Sequence, residues 1–277
     1  MTLDLWPKSA PPWVMGVLNV TPDSFSDGGH FFEPSHAIAH ARGMVEAGAD
    51  IIDIGGESSR PGAEGVSAEE QIRRVTPVIR GIREFWGGPI SVDTTSAQVA
   101  SAAVGCGANW INDISALRAD PAMAELAARQ GCVVILMHMQ GKPATMQMDP
   151  VYTDVVADAT LFLRERARFA RSCGIGEDRI ILDPGIGFGK TLEHNLALLR
   201  RLRELTAIGY PILVGVSRKS FIGQITGAPV GDRLEGSLAA AIWAVGQGAR
   251  IVRVHDVGPT RQALAVAAAL STGPSSS

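Results

Sequence analysis

The 277-residue sequence has little cysteine, no excess of positive charge and no long apolar run. Its three cysteines (Cys106, Cys132, Cys173) stand far apart, with an odd count and no C-x-x-C spacing. A disulfide framework and a thiolate zinc site are therefore not expected, and a reducing compartment is. A formal net charge of -3 gives no basic field for a nucleic-acid backbone, so no nucleic-acid partner is expected. The longest apolar run, "LAAAIWAV" (Leu238–Val245), is far short of the roughly 20 residues that cross a bilayer. The opening "MTLDLWPKSAPPW" lacks the basic start and apolar stretch of a signal peptide. These absences point to a cytoplasmic protein with no membrane partner. No Pro/Ser/Gly-rich linker divides the chain, which reads as one domain over 13–270. A short extension (1–12) precedes it, and a disordered tail (271–277) containing "STGPSSS" ends the sequence.

A phosphate loop for a nucleotide is also missing. "ILDPGIGFGK" (Ile181–Lys190) comes close, but Pro184 occupies the position of the first glycine of G-x-x-x-x-G-K-[ST]. Proline has no N–H to offer a phosphate. Nor does any cluster of carboxylates resemble a preformed metal cage.

What is present is a repeated pattern in a chain that is 46% hydrophobic and 19% charged. Eight short apolar runs recur: "WVMGVLNV", "DIIDIGG", "PISVDT", "WINDIS", "CVVILMHM", "RIILDPG", "PILVGVS" and "RIVRVHD". Amphipathic stretches lie between them, such as Ser67–Phe85 and Leu192–Gly209, with apolar residues at helical spacing. Ser67 and Glu70 fit a capping box for the first. Continuous apolar runs suit parallel strands buried on both faces. Eight β-then-α units predict a (β/α)₈ (TIM) barrel in the α/β class, with a doubly wound open sheet as the alternative.

Polar groups cluster at the ends of these runs: Asn19, Asp53, Asp93, Asn112–Asp113, His138, Asp183, Ser217–Arg218–Lys219, and Arg253 with His255–Asp256. An Asn or Asp among them, taken alone, reads as a helix cap or an Asx-turn. In a barrel, all of them gather at the C-terminal mouth, where active sites of this fold lie. The cations after the last two runs suit an anionic group such as a phosphate ester. The carboxylates and amide after runs three, four and six suit a flat heterocycle rich in N–H groups.

The motifs "MGVLNVTPDSFSDGG" and "DIGGESSRPGA" resemble the two loop motifs of the dihydropteroate synthase family. So do "SVDT", "INDIS", "LMHMQGKPATMQ", "ILDPGIGFGKT", "GVSRKSFIG" and "RVHDV", all in order from about Trp13 to Leu270. The resemblance implies a transferase that condenses 6-hydroxymethyl-7,8-dihydropterin pyrophosphate with p-aminobenzoate. Dihydropteroate and pyrophosphate are the products, and sulfonamides the competing ligands. It further implies Mg²⁺ as cofactor and a homodimer. By the same resemblance, Asp93, Asn112, Asp183 and Lys219 bind the pterin, with Met137 and Phe188 as apolar walls. Asn19, Arg253 and His255 grip the pyrophosphate, Asn19 also serving as a Mg²⁺ ligand. Ser59, Arg60, Pro61 and Ser217 contact p-aminobenzoate, and Gly215 joins the substrate-binding set. Asp93, Lys219, Arg253 and His255 form the catalytic set.

Two positions depart from the family pattern. Ser59 replaces the usual Thr of S-T-R-P, and Ile186 stands where Phe is common. Two rival readings carry less of the sequence. A catalytically silent pterin-binding paralogue has no need of the whole anion grip, and a pterin-binding methyltransferase would lack the first two loops. Those loops are rich in glycine and turn residues, so the pterin substrate is expected to bind before p-aminobenzoate.

Overall fold

Each of the eight apolar runs forms a strand in the computed structural model, which describes residues 11–21, 34–57, 65–141 and 145–271. The strands are β1 (Trp13–Asn19), β2 (Ile51–Gly55), β3 (Ile90–Asp93), β4 (Trp110–Asp113), β5 (Val133–Met137), β6 (Ile180–Asp183), β7 (Leu213–Gly215) and β8 (Ile251–Val254). All neighbours pair in parallel, in the order β6-β5-β4-β3-β2-β1-β8-β7. A parallel bridge between Leu182 and Ile212 joins the two ends of that order. The sheet closes into a barrel, which removes the open-sheet alternative.

Helices follow the strands: α1 (Pro34–Glu46), α2 (Ala68–Arg83), α3 (Ala97–Gly105), α4 (Ala122–Gln130), α5 (Val155–Ser172), α6 (Leu192–Arg200), α7 (Leu202–Thr206), α8 (Ser220–Thr226), α9 (Leu234–Gly246) and α10 (Val257–Ser271). Two local expectations change. Leu192–Gly209 is broken at Arg201, whose guanidinium bridges Asp154 before α5 and Glu204. Ser67 caps α2 by accepting from the Glu70 N–H, but the Glu70 carboxylate turns to Arg73 and Arg74 instead of back to the cap. A reciprocal capping box forms instead between Thr191 and His194 at the start of α6.

Side chains alternate along each strand between two cores. One set (Val14, Ile52, Ile54, Val92, Ile111, Val134, Leu136, Leu182, Val252) packs outward with residues of the surrounding helices. The other set points to the barrel axis. Its lower layers are apolar, built from Met15, Ile51, Trp110, Val133, Ile135, Ile181, Leu213 and Ile251, with Trp13 stacked on Trp110. Register extends this inward set upward into polar residues: Asp53 beside Ser91, Asp93 beside Asn112, Met137 beside Asp183, and Gly215 beside Arg253. The interior thus changes from greasy to charged toward the C-terminal mouth.

Candidate active site

Arg253 is the centre of the mouth. Its Nε donates to Asp53 Oδ2 at 2.6 Å and its Nη2 to Asp93 Oδ2 at 2.8 Å, so one guanidinium ties β8 to β2 and β3. The side chain of Asp53 is fully buried, and a buried carboxylate without a cation is costly. Burial opposes the charge on Arg253 as well, but Asp53 and Asp93 outweigh it and hold the guanidinium protonated. Asp93 stays above the usual carboxylate range because burial outweighs Arg253, with Asp53 and Asp113 adding like charge. Asn112 Nδ2 also donates to Asp53 Oδ2, at 3.1 Å. That bond turns the amide so that its oxygen is left to accept.

Asp183 ends β6 and is buried; its Oδ1 accepts from the Gly185 N–H at 2.7 Å. Burial raises its pKa, against the pull of that N–H, Lys219, Arg253 and Lys190. Lys219 lies at the start of α8 with its Nζ 4.2 Å from the centroid of the Phe188 ring. Burial and then Arg253 lower its pKa, while Asp183 and Asp93 work the other way. Phe188 packs with Met137, Met139 and Met146 as an apolar wall. Three oxygen acceptors and one ammonium beside an aromatic face suit a planar ligand carrying several N–H donors and a carbonyl.

A second, cationic side adjoins this wall. His255 follows β8, and its Nδ1 lies 3.1 Å from Ser217 Oγ, which also accepts from the His255 N–H. Burial, Arg253 and Arg218 push its imidazole down to about 4. Gly215 pairs with Arg253 in register. Asn19 ends β1, half-buried, its side-chain oxygen near Gly55. Of the expected site residues, Ser59, Arg60 and Pro61 lie outside the described residues. Among the described residues flanking them, Glu57 accepts from Val66 N and Gln71 Nε2.

Three polar strand ends do other work. Asp113 accepts from the backbone of Ser115 and Leu117, fixing a turn in which Ala116 and Leu117 have positive φ. His138 packs between Tyr152 and Phe162, away from the axis, as its place after inward-facing Met137 requires. Arg218 forks onto Asp256. Asp53, which the sequence marks only as a polar strand end, proves to be the residue that orients both Arg253 and Asn112. Its signal was a carboxylate at an inward position inside the apolar run "IIDIG".

The family model for pterin binding enzymes matches residues 15–255. Dihydropteroate synthase of Escherichia coli (strain K12) is 50% identical over 255 residues, covering 92% of this chain and 90% of that protein. The structure of the Yersinia pestis dihydropteroate synthase with a sulfonamide drug superposes with a TM-score of 0.90 at 46% identity, covering 95% of each chain. That of Xanthomonas albilineans dihydropteroate synthase in complex with 7,8-dihydropteroate gives 0.86 at 43% identity, covering 95% of each chain.

Proposed function

The chain belongs to the pterin-binding dihydropteroate synthase family, and from that premise we infer how its own residues divide the work. The reaction joins 6-hydroxymethyl-7,8-dihydropterin pyrophosphate to p-aminobenzoate, forming 7,8-dihydropteroate and releasing pyrophosphate. The observation that carries the division is the paired set of commitments at the mouth. Asn112 has spent its N–H₂ on Asp53 and Asp183 has spent one oxygen on Gly185. Both therefore offer acceptors to the N–H-rich edge of the pterin, with Asp93 as a third. Lys219 supplies a donor for the ring carbonyl, and Phe188 and Met137 flank the ring plane.

The anion end consists of Arg253, His255 and Asn19. The bond that breaks joins an exocyclic CH₂ to a pyrophosphate oxygen, and the electron-rich ring spreads the positive charge left behind. Departure before attack, an SN1-like path, follows. Arg253 stabilises charge growing on the leaving group from a fixed position, so little reorganisation is needed. His255 is neutral without an anion and gains a reason to bind a proton when one arrives. The arylamine of p-aminobenzoate is a neutral nucleophile, so holding it in place by Ser59, Arg60, Pro61 and Ser217 replaces a strong base.

Among the described residues no group of three or more His, Cys, Asp or Glu could hold a metal ion. One neutral oxygen, from Asn19, fits a Mg²⁺ that arrives coordinated by pyrophosphate and water. When bound, the ion neutralises charge on the pyrophosphate. Apparent Mg²⁺ affinity should be poor for the protein alone and rise sharply with pyrophosphate.

Sulfonamides are proposed to compete for the p-aminobenzoate position, since the Yersinia pestis relative has been solved with one. A homodimer is proposed from an exposed apolar groove of about 420 Å³ lined by Leu196, Phe221, Ile225 and Trp243. A cytoplasmic location is proposed from three unpaired cysteines, and no helix among the described residues is long and apolar enough to cross a membrane. Lys219, Arg253 and His255 at one mouth give no support to a silent paralogue. The test is pyrophosphate release by purified protein: it should require p-aminobenzoate and yield dihydropteroate in equal amount. Pterin binding with no turnover would favour the silent paralogue.

A further inference from the structure

Lys190, the lysine of the near-miss phosphate loop, is 3% exposed and makes no use of solvent. Its Nζ donates to the carbonyl of His138 at 3.2 Å and to that of Phe188 at 2.9 Å. One carbonyl belongs to the segment after β5 and the other to the segment after β6. A buried ammonium is costly, so an aliphatic side chain would fill this space at less expense. The ammonium nevertheless sits between the two backbone segments that carry the apolar wall of the mouth.

We propose that Lys190 is a positioning residue for the condensation, tying the β6 loop to the β5 loop so that Phe188 and Met137 form one fixed wall. The inference rests on the pterin reading of that wall. The rest of the β6 loop is held in the same fashion. Asn195 of α6 accepts from the Gly187 N–H and donates to the Thr191 carbonyl, while Tyr152 donates to the Gly189 carbonyl. Lys190 alone among these contacts can carry a charge; burial pulls its pKa down to about 7, Asp183 working against that and Lys219 with it, so the ammonium is fully formed on the acid side of neutrality. Asp183 faces the Gly185 N–H, Lys219, Arg253 and Lys190, and each favours its ionised form against burial. Taking one cation away moves the ionisation of Asp183 to higher pH, and only the ionised form keeps both oxygens as acceptors, one for Gly185 and one for the ligand.

Two variants separate the tie from the charge. Lys190→Met removes both; Lys190→Gln keeps N–H donors and removes the charge. Steady-state kinetics with each substrate varied in turn, and calorimetric titration with a pterin analogue across pH, read the outcome. For Lys190→Met, KM for the pterin pyrophosphate should rise about ten- to a hundredfold, the span of a lost hydrogen bond to a charged group. KM for p-aminobenzoate at saturating pterin substrate should stay unchanged. In both variants the acid limb of pterin binding should move to higher pH. If Lys190→Met does not fold, the limb in Lys190→Gln decides alone. An unmoved limb in Lys190→Gln, or in a folded Lys190→Met whose only defect is a lower melting temperature, would reduce Lys190 to a core residue and overturn the proposal. Wild-type protein with no pterin affinity would instead overturn the pterin reading, and this inference with it.

Discussion

His138 follows inward-facing Met137 and so turns outward, whereas His255 follows outward-packed Val254 and so turns to the mouth, and their surroundings give them different uses. His138 is enclosed by Tyr152 and Phe162, and burial, then Lys190 and Arg118, push its imidazole down to about 3. His255 borders the open mouth, next to Arg253 and Ser217. Only the second can meet an anion. The first carries a stability consequence with a definite sign. An unfolded chain protonates this residue near 6.5, whereas the folded one resists until about 3. The unfolded state therefore takes up the proton first, and the contribution of His138 is intact above 6.5 and lost as pH falls. His138→Phe, which keeps the aromatic packing, removes that term. Urea denaturation from pH 7.5 down to about 4 should show the variant gaining on the wild type below about pH 6.5. A difference that stays constant with pH would contradict a neutral, buried His138.

The loop from Asp183 to Thr191 shows how an element sets the site. Gly185 has φ 67°, and a Cβ there would stand 2.0 Å from the His138 carbonyl oxygen; Gly189 has φ 61° and would meet the Gln140 carbonyl at 2.4 Å. The loops after β5 and β6 press together at both points, with Lys190 bonded between them. Gly185→Ala combines left-handed strain with backbone overlap and should cost at least about 2 kcal/mol, read from the denaturant midpoint. An unchanged midpoint would mean that the two loops separate freely. The eight strands were legible because inward and outward cores force short continuous apolar runs, and the mouth because a polar residue closes each run. Asp53 was not legible as the orienting group. Its partner Arg253 lies 200 positions away, and nothing local to either residue declares the pairing. The break at Arg201 was hidden for the same reason, since Asp154 reaches it from another helix. Ser59, Arg60 and Pro61 belong to a stretch outside the described residues, and their roles rest on the family motif.

At the scale of the molecule, the apolar outer face over α6, α8 and α9 stands out. Ile225 is 56% and Trp243 51% exposed, beside the half-buried rim of Leu196, a patch that a lone chain has no reason to keep in water. Trp243→Glu should convert the proposed dimer to monomer in sedimentation velocity while leaving the barrel folded; a wild-type chain that sediments as a monomer would remove the dimer. The central claim is a division of the mouth into a pterin-reading wall and an anion-gripping end. Calorimetric titration of wild type, Asp183→Asn and His255→Ala with a phosphate-free pterin and, separately, with Mg²⁺-pyrophosphate tests it most directly. Asp183→Asn should weaken the pterin by roughly 1–3 kcal/mol or more, the cost of a buried donor left facing an amide N–H₂, and leave pyrophosphate binding unchanged. His255→Ala should do the reverse. Loss of both ligands in both variants, or of neither, would contradict it.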